Sequence, residues 1–367
     1  MEYAAADPSL MVFAEITYSV CSGDELNRYL QTRSDATRSE KQHPSRSGWL
    51  THDLRWLRIL RKGLRHVPFL IQAVQNGQVV GQLPLALVSG PIFGRFLVGL
   101  PYVNSGGVQA DSADVAARLI EMAVDLSEQH DCRYLELRHE RRIEHPAFNG
   151  ELTSKVHMRL PLPADEETLW KGLKAGVRNQ IRKGQRYDFR VQWGGEEVLS
   201  AFYDVFARRM RDLGTPVYSR RLFAAILSEL RGEAEICVVW EGSRAIAAAL
   251  LLHGCSVTEV PSAAARVEYN STNVNMLMYW HLLVRSVERG RQVFDFGRCT
   301  LDGPTHRFKK QWGAQAESAV WQYSIRRGSI SDMRPESGHR QVLVRAWQHL
   351  PVWLTRMIGP EIVRGIP

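Results

Sequence analysis

Val293-Phe-Asp-Phe-Gly-Arg-Cys-Thr-Leu-Asp-Gly-Pro-Thr-His-Arg-Phe-Lys-Lys-Gln-Trp-Gly313 is the stretch on which the reading of this chain turns. An apolar strand pattern ends in Asp295 and runs through glycines into a knot of cations, His306, Arg307, Lys309 and Lys310. A buried strand feeding a polar, Gly-rich loop is how many α/β enzymes set ligand-binding groups at a strand's carboxyl end. The same residues also fit a solvated loop with incidental lysines.

The surroundings of this stretch occur twice. Upstream of it, a hairpin of Ala245 to Leu252 and Ser256 to Val260 ends at Pro261. A loop, Pro261 to Asn270, then leads to a helix over Asn273 to Arg289 and to the strand at Val293. Earlier in the chain, the strand Phe96 to Leu100 ends at Pro101. A loop, Tyr102 to Ala110, leads to a helix over Ser112 to Gln129 and to the strand Tyr134 to Arg138. The same elements in the same order predict a duplicated α/β unit. Leu160-Pro-Leu-Pro163 is a stiff connector and marks the expected boundary. The expected units are residues 1–163 and 164–330, the second carrying the site, with an amphipathic tail at 331–367.

Ahead of the first unit's repeat, Val12 to Val20 alternates like a strand, and Ser22-Gly23-Asp24 caps a short helix through Leu30. A polar loop follows over Gln31 to Ser47, then a helix over Trp49 to Leu64 and a hairpin turning at Asn76-Gly77. In the second unit a helix over Glu167 to Tyr187 puts Lys171, Lys174, Arg178 and Arg182 on one face. Either that cationic ladder meets an anion or it is a solvated face. The helix Glu196 to Leu213 is structural, and Met276 and Trp280 of the helix at Asn273 read as core. Val320 to Ile325 reads as a closing strand. The tail mixes Val342, Trp347, Trp353 and Leu354 with Arg345 and Arg356, which suits packing onto the body of the protein or lying on a membrane surface.

Composition sets the outer limits. With 367 residues and 44% hydrophobic residues, the chain can bury two cores of ordinary size. Lys and Arg exceed Asp and Glu, 47 to 39, and the resulting +8 favours anionic partners. Cys21, Cys132, Cys237, Cys255 and Cys299 show neither disulfide nor metal-ligand spacing, which fits a reducing cytoplasm and no metal. No secretory leader pattern or membrane-spanning run appears, so a soluble or peripheral protein is expected.

These motifs carry a resemblance. A strand pair ending at proline, then loop, helix and strand, twice over, resembles the duplicated acetyltransferase-like (GNAT) fold of the Fem family, the peptidyltransferases that build peptidoglycan cross-bridges. That family has an Arg/Lys-rich helix early in its second unit and an aromatic-lysine pair after its last helix and strand. Leu173-Lys-Ala-Gly-Val-Arg-Asn-Gln-Ile-Arg-Lys183 and Arg307-Phe-Lys-Lys-Gln-Trp-Gly313 look like these. Asp295-Phe-Gly-Arg298 followed by Phe308-Lys-Lys-Gln-Trp-Gly313 is most similar to the Fem-like proteins of exosortase (PEP-CTERM) and exopolysaccharide clusters. The fold expected is therefore α/β with mixed sheets, a tandem of GNAT-like units.

The resemblance implies amide formation by acyl transfer, with acyl-CoA or aminoacyl-tRNA as co-substrate and no permanently bound cofactor. The acceptor it implies is an envelope glycan or its lipid- or nucleotide-linked precursor. Two departures stand out. The glycine-rich pyrophosphate loop of CoA-dependent enzymes is missing, Tyr102-Val-Asn-Ser-Gly-Gly107 being the nearest to it, and so is the helical-hairpin insertion of some cross-bridge enzymes. No Gly-x-Ser-x-Gly elbow or Cys/His pair appears, so direct attack in a ternary complex is expected.

Amide formation needs an oxyanion donor, a proton acceptor and cations for phosphate. On this reading Lys309 stabilises the oxyanion or a phosphate, Phe308 shapes the acyl site, and Asp295 or His306 relays the proton. Asp295 also suits a purely structural role, capping the loop or pairing with Arg298. Arg178, Arg182, Arg298 and Arg307 are the candidate anion binders, and Tyr218, Tyr269 and Asn275 are candidate cleft residues. An acyl-CoA N-acyltransferase on a small amine and a non-catalytic nucleic-acid-binding protein are the competing classes.

Overall fold

Asn76 and Gly77 take φ of 54° and 74°, the pair a two-residue hairpin turn requires, and strand β2 (Val67–Gln75) folds back there onto β3 (Gln78–Gly90). In the computed structural model, which describes residues 15–39, 49–330 and 338–367, this hairpin lies within the first of two mixed sheets. The other strands of that sheet are β1 (Thr17–Ser22), β4 (Gly94–Val98), β5 (Gln109–Ala110), β6 (Tyr134–His139), β7 (Gly150–Leu152) and β15 (Val320–Ile325). They run in the order β1-β2-β3-β4-β6-β15-β7, with β5 beside β3.

Helices α1 (Gly23–Ser39), α2 (Arg55–Leu64) and α3 (Ala113–Gln129) accompany this sheet. The Ser112 hydroxyl accepts a hydrogen bond from Val115 N–H and so starts α3. Val115, Leu119, Ile120, Ala123 and Leu126 recur at helical spacing and bury their face with Ile71 and Leu83 of the hairpin.

The second sheet runs β14-β8-β13-β12-β11-β10-β9. Its strands are β8 (Lys155–Pro161), β9 (Phe189–Gly194), β10 (Ala234–Glu241), β11 (Arg244–His253), β12 (Val257–Ala265), β13 (Val293–Thr300) and β14 (Gln315–Ser318). Its helices are α4 (Glu166–Gly172), α5 (Ala175–Gln185), α6 (Leu199–Asp212), α7 (Arg220–Glu229), α8 (Val274–Glu288) and α9 (Pro304–Gln311).

The apolar run of β11 serves two cores at once. Ala248, Leu250 and Leu252 face Phe202 and Phe206 of α6, whereas Ala247, Ala249 and Leu251 face Met278 and Leu282 of α8. The α6 core also takes in Leu26, Trp56, Leu57 and Leu60 from the first unit, so the two units share a hydrophobic core. A Cβ on Gly63 would stand 2.6 Å from Leu222 Cα, which shows how closely α2 and α7 cross. Each fully buried Leu or Phe at this junction contributes roughly 1.5–3 kcal/mol.

Several elements differ from the sequence reading. The first strand begins at Thr17 rather than Val12, and residues 12–14 lie outside those described. Helix α1 continues through Ser39 where a polar loop was expected; the rest of that stretch, 40–47, lies outside the described residues. The single helix expected over Glu167 to Tyr187 breaks at Leu173-Lys174, so the cationic ladder is split between α4 and α5. Pro261 does not end its strand. It sits where the pairing of β12 with β11 shifts register, and a bulge of this kind is one of the few places a sheet accepts proline. The cationic loop after β13 is the helix α9, with Pro304 at its first turn.

Strand β8 lies ahead of the expected boundary yet belongs to the second sheet, and β15, expected to close the second unit, is paired into the first. The tail forms α10 (Gly338–His349) and α11 (Val352–Val363), and it packs onto the body. Arg356 pairs with Asp204, and the Tyr102 hydroxyl donates to the Ile366 carbonyl at 2.8 Å. Trp353 and Met357 on α11 remain exposed. Among the described residues no helix is long and apolar enough to cross a membrane.

Candidate functional site

Each unit contains a parallel strand pair that begins together and then separates. In the first unit β4 and β6 pair only at Leu97–Val98 with Leu135–Glu136. In the second, β12 and β13 pair only over Val257–Glu259 with Val293–Asp295. Backbone fills the first gap. Gly99 N–H donates to the Glu136 carbonyl and Gly106 N–H to that of Arg138, and Gly99 and Gly106 face each other with no room for a side chain. The glycines of Tyr102 to Gly107, the nearest match to a pyrophosphate loop, thus serve packing against their own sheet.

The second gap is where the opening stretch lies. Gly297 adopts φ 74°, and Asp295 Oδ1 accepts its N–H at 2.6 Å, a local turn that interrupts the pairing of β13 with β8 between Asp295 and Arg298. The Lys309 ammonium on α9 is buried and donates to the Gly297 carbonyl at 2.8 Å and the Arg298 carbonyl at 3.0 Å. Both partners are uncharged, so burial dominates and lowers the lysine's pKa to about 8, against the opposing pull of Cys299 and Asp295. A third N–H is left for a ligand. Phe308 beside it sets its ring edge-on to Tyr279 at 5.1 Å, an apolar wall continuous with the second core.

A buried polar row crosses the sheet next to this turn. Glu259 on β12 and Arg159 on β8 flank Asp295 as its partners on either side. Glu259 accepts from the Thr51 hydroxyl at 2.7 Å and from Thr51 N–H, and burial together with the Asp295 charge raises its pKa to about 8. Arg159 pairs with Asp295 at 3.4 Å and with Glu140 at 2.6 Å, and it stands over the Trp49 ring. Asp295 therefore pairs with Arg159 rather than Arg298, and burial shifts its own pKa upward.

Arg298 points toward the first unit. Its guanidinium lies 4.1 Å from the centre of the Trp321 ring, and that of Arg138 lies 4.2 Å from the same centre. Tyr218 lies within the electrostatic reach of both arginines and meets Tyr102 edge-on at 5.2 Å.

The remaining sequence candidates are dispersed. Arg178 donates to the Trp170, Lys171 and Leu173 carbonyls and so closes the C-terminus of α4. Arg182 stands over the Trp170 ring and lines an open groove of about 470 Å³ with Trp280, Gln185, Glu166 and Glu167. His306 is buried one turn before Lys309, its Nδ1 accepting from Asp302 N–H at 3.3 Å, whereas Arg307 is exposed and donates to the Asp302 carbonyl. Tyr269 is half-buried in the short turn Val267–Thr272 that follows β12, packed against the second core and donating to Glu241. Asn275 lies half-buried in the first turn of α8. The structure therefore brings together Lys309, Phe308, Asp295, His306, Arg298 and Tyr218, and leaves Arg178, Arg182, Arg307 and Tyr269 elsewhere.

Sequence reading missed Arg138, Trp321, His157, Arg159 and Glu259. For His157 and Arg159, set between Val156, Met158 and Leu160, the intrusion of polar groups into an apolar strand was the available signal. Arg138, Glu259 and Trp321 have a polar neighbour, and local sequence did not mark them.

Two units of the GNAT type sharing a core, each with a splayed parallel pair, define a tandem GNAT fold. An acetyltransferase (GNAT) domain family model matches residues 171–310, which supports acyl transfer as the general chemistry. No curated protein matches the sequence closely enough to count as a relative. Among solved structures the chain is similar to FemX, at a TM-score of 0.60 and 14% identity, covering 86% of this chain and 98% of that one. It is also similar to a tandem GNAT protein from the clavulanic acid biosynthesis pathway, at 0.53 and 12%, covering 86% and 100%. A third is L-PGS from Bacillus licheniformis, at 0.50 and 10%, covering 74% and 87%. At these identities the likeness is one of fold.

Proposed function

We propose that the protein transfers an acyl or aminoacyl group to an amino group of a cell-envelope glycan, or of its lipid- or nucleotide-linked precursor, in exopolysaccharide or peptidoglycan assembly. The observation that carries this reading is Lys309, a buried ammonium held on two carbonyls of the splayed strand with one N–H free. The acceptor amine attacks the donor carbonyl carbon directly. Lys309 donates to the oxyanion that forms, the C–S bond of a thioester or C–O bond of an ester breaks, and the leaving thiol or hydroxyl ends with the amine's proton. His306, on the same face of α9, relays that proton, while Asp295 is committed to the Gly297 turn and Arg159. Arg182, beside Trp170 and Trp280, supplies a groove for the acceptor's phosphates. The exposed Trp353 and Met357 of α11, with the exposed Arg345 on the preceding helix, suit contact with a membrane that carries a lipid-linked acceptor.

A second reading, N-acylation of a small amine from acyl-CoA, is favoured by the family match over α4 to α9. Purified protein incubated with an amino-sugar acceptor and either acyl-CoA or aminoacyl-tRNA separates them. Amide product on the envelope-type acceptor supports the first reading. Acyl-CoA turnover confined to small amines replaces it with the second, and absence of product with every donor overturns both.

A further inference from the structure

Buried polar atoms in a folded protein almost always have a partner, and a cluster of orphans marks something missing. Three such residues meet at the seam between the two sheets. Arg298 Nη1 and Trp321 Nε1 are both buried without an acceptor, although the guanidinium and the indole ring are in contact. His157, the cross-strand partner of Arg298, is 1% exposed and has no partner on either ring nitrogen. Behind them Arg138 is satisfied by Glu136 at 2.6 Å and the Val103 carbonyl at 2.9 Å. The group therefore holds two guanidiniums against one paired carboxylate, and although Arg298 is half-buried as a residue its Nη1 is shut off from water, which is costly unless an anion joins it. Burial and the neighbouring Arg138 lower the pKa of Arg298 to about 10, as expected for a cation that lacks its counter-ion.

We propose that Arg298 Nη1 and Trp321 Nε1, with Arg138 stacked on the same indole, form a binding site for an oxyanion group, carboxylate or phosphate, carried by the acceptor. The site rests on the acyl-transfer reading for its purpose. Because the Arg298 carbonyl is itself a ligand of Lys309, an anion held by the Arg298 side chain fixes the acceptor within one residue of the reacting centre. It selects acidic acceptors, whose charge fills the vacant valences, over neutral amines.

The test measures binding without turnover. Thermal melting of the whole protein is followed while acetate or inorganic phosphate is titrated at constant ionic strength set with chloride, for wild type, Arg298→Met, Trp321→Phe and Lys309→Met. The expected result is saturable stabilisation of wild type and Lys309→Met by one of the two anions, which identifies the group. Trp321→Phe should bind it at least tenfold more weakly, and Arg298→Met should show no saturable shift. Without added anion, Arg298→Met should melt no lower than wild type, because it removes a half-buried cation whose Nη1 has no acceptor. An undiminished shift in Arg298→Met and Trp321→Phe, or no saturable shift in wild type, overturns the site whatever the transfer assay shows. Loss of the shift in Arg298→Met in a protein that transfers no acyl group retains the anion site and discards the acyl-transfer reading.

Discussion

Glu259 and Asp295 are cross-strand partners on the parallel strands β12 and β13, both buried, and of the two it is Asp295 that pairs with Arg159, which also pairs with Glu140. Two carboxylates so close cannot both ionise cheaply, and Glu259 keeps its proton to about pH 8. Its folded pKa lies above its ordinary value of 4.5, so its contribution is full below about pH 4.5 and is lost as pH rises through 8. Denaturant unfolding of wild type should therefore lose stability across that window with a contribution approaching about 1.4 kcal/mol per pH unit. Glu259→Gln should flatten that part of the profile and gain relative to wild type above pH 8, and an unchanged slope would contradict the pairing.

Gly297 combines φ 74° with the Asn104 carboxamide 3.3 Å from where a Cβ would stand. Gly297→Ala is expected to cost about 1–3 kcal/mol from backbone strain and crowding. It also displaces a carbonyl that holds Lys309, so kcat should fall even where calorimetry shows the variant folded.

Arg178 and Arg182 share α5 but differ in what they touch, and their alanine variants should separate. Arg178→Ala uncaps α4 and should lower the melting temperature by roughly 2–4 °C, with KM for a phosphorylated acceptor little changed. Arg182→Ala should leave the melting temperature in place and raise that KM at least several-fold. The reverse pattern would return the acceptor phosphates to Arg178.

The docked tail can be checked through Tyr102, whose hydroxyl donates to the Ile366 carbonyl. Tyr102→Phe should raise hydrogen exchange over 352–367 by a factor of about 5, corresponding to roughly 1 kcal/mol for one lost hydrogen bond. Unchanged exchange would show that α11 is held by its apolar packing and the Arg356–Asp204 pair without this hydrogen bond.

The duplicated unit was legible because its signals are local: hydrophobic period, turn residues and a proline near the same point of each copy, Pro101 after β4 and Pro261 within β12. Lys309 was legible from its place beside Phe308 in the knot after β13. Its burial was not, because the sequence around Thr305 and Lys310 is polar and only the carbonyls of Gly297 and Arg298 explain a buried ammonium. Long-range pairing hid the rest. Trp321 meets Arg138 because β15 returns to the first sheet, and Glu259 meets Thr51 across the chain's two halves. Arg178 looked like an anion binder because spacing cannot show that α4 ends at Leu173 and offers it three carbonyls.

The central claim is that the Lys309 ammonium stabilises the transition state of acyl transfer. The direct measurement is kcat/KM against pH for wild type, Lys309→Met and Lys309→Arg with an amino-sugar acceptor and the preferred donor. The protonated lysine is the active form, so wild-type activity should decline above about pH 8, where it loses its proton. Lys309→Met should lose about 10²–10³-fold in kcat, and Lys309→Arg, where it retains activity, should lack the decline. Full activity in a correctly folded Lys309→Met variant, or the same decline near pH 8 in all three proteins, would contradict the assignment.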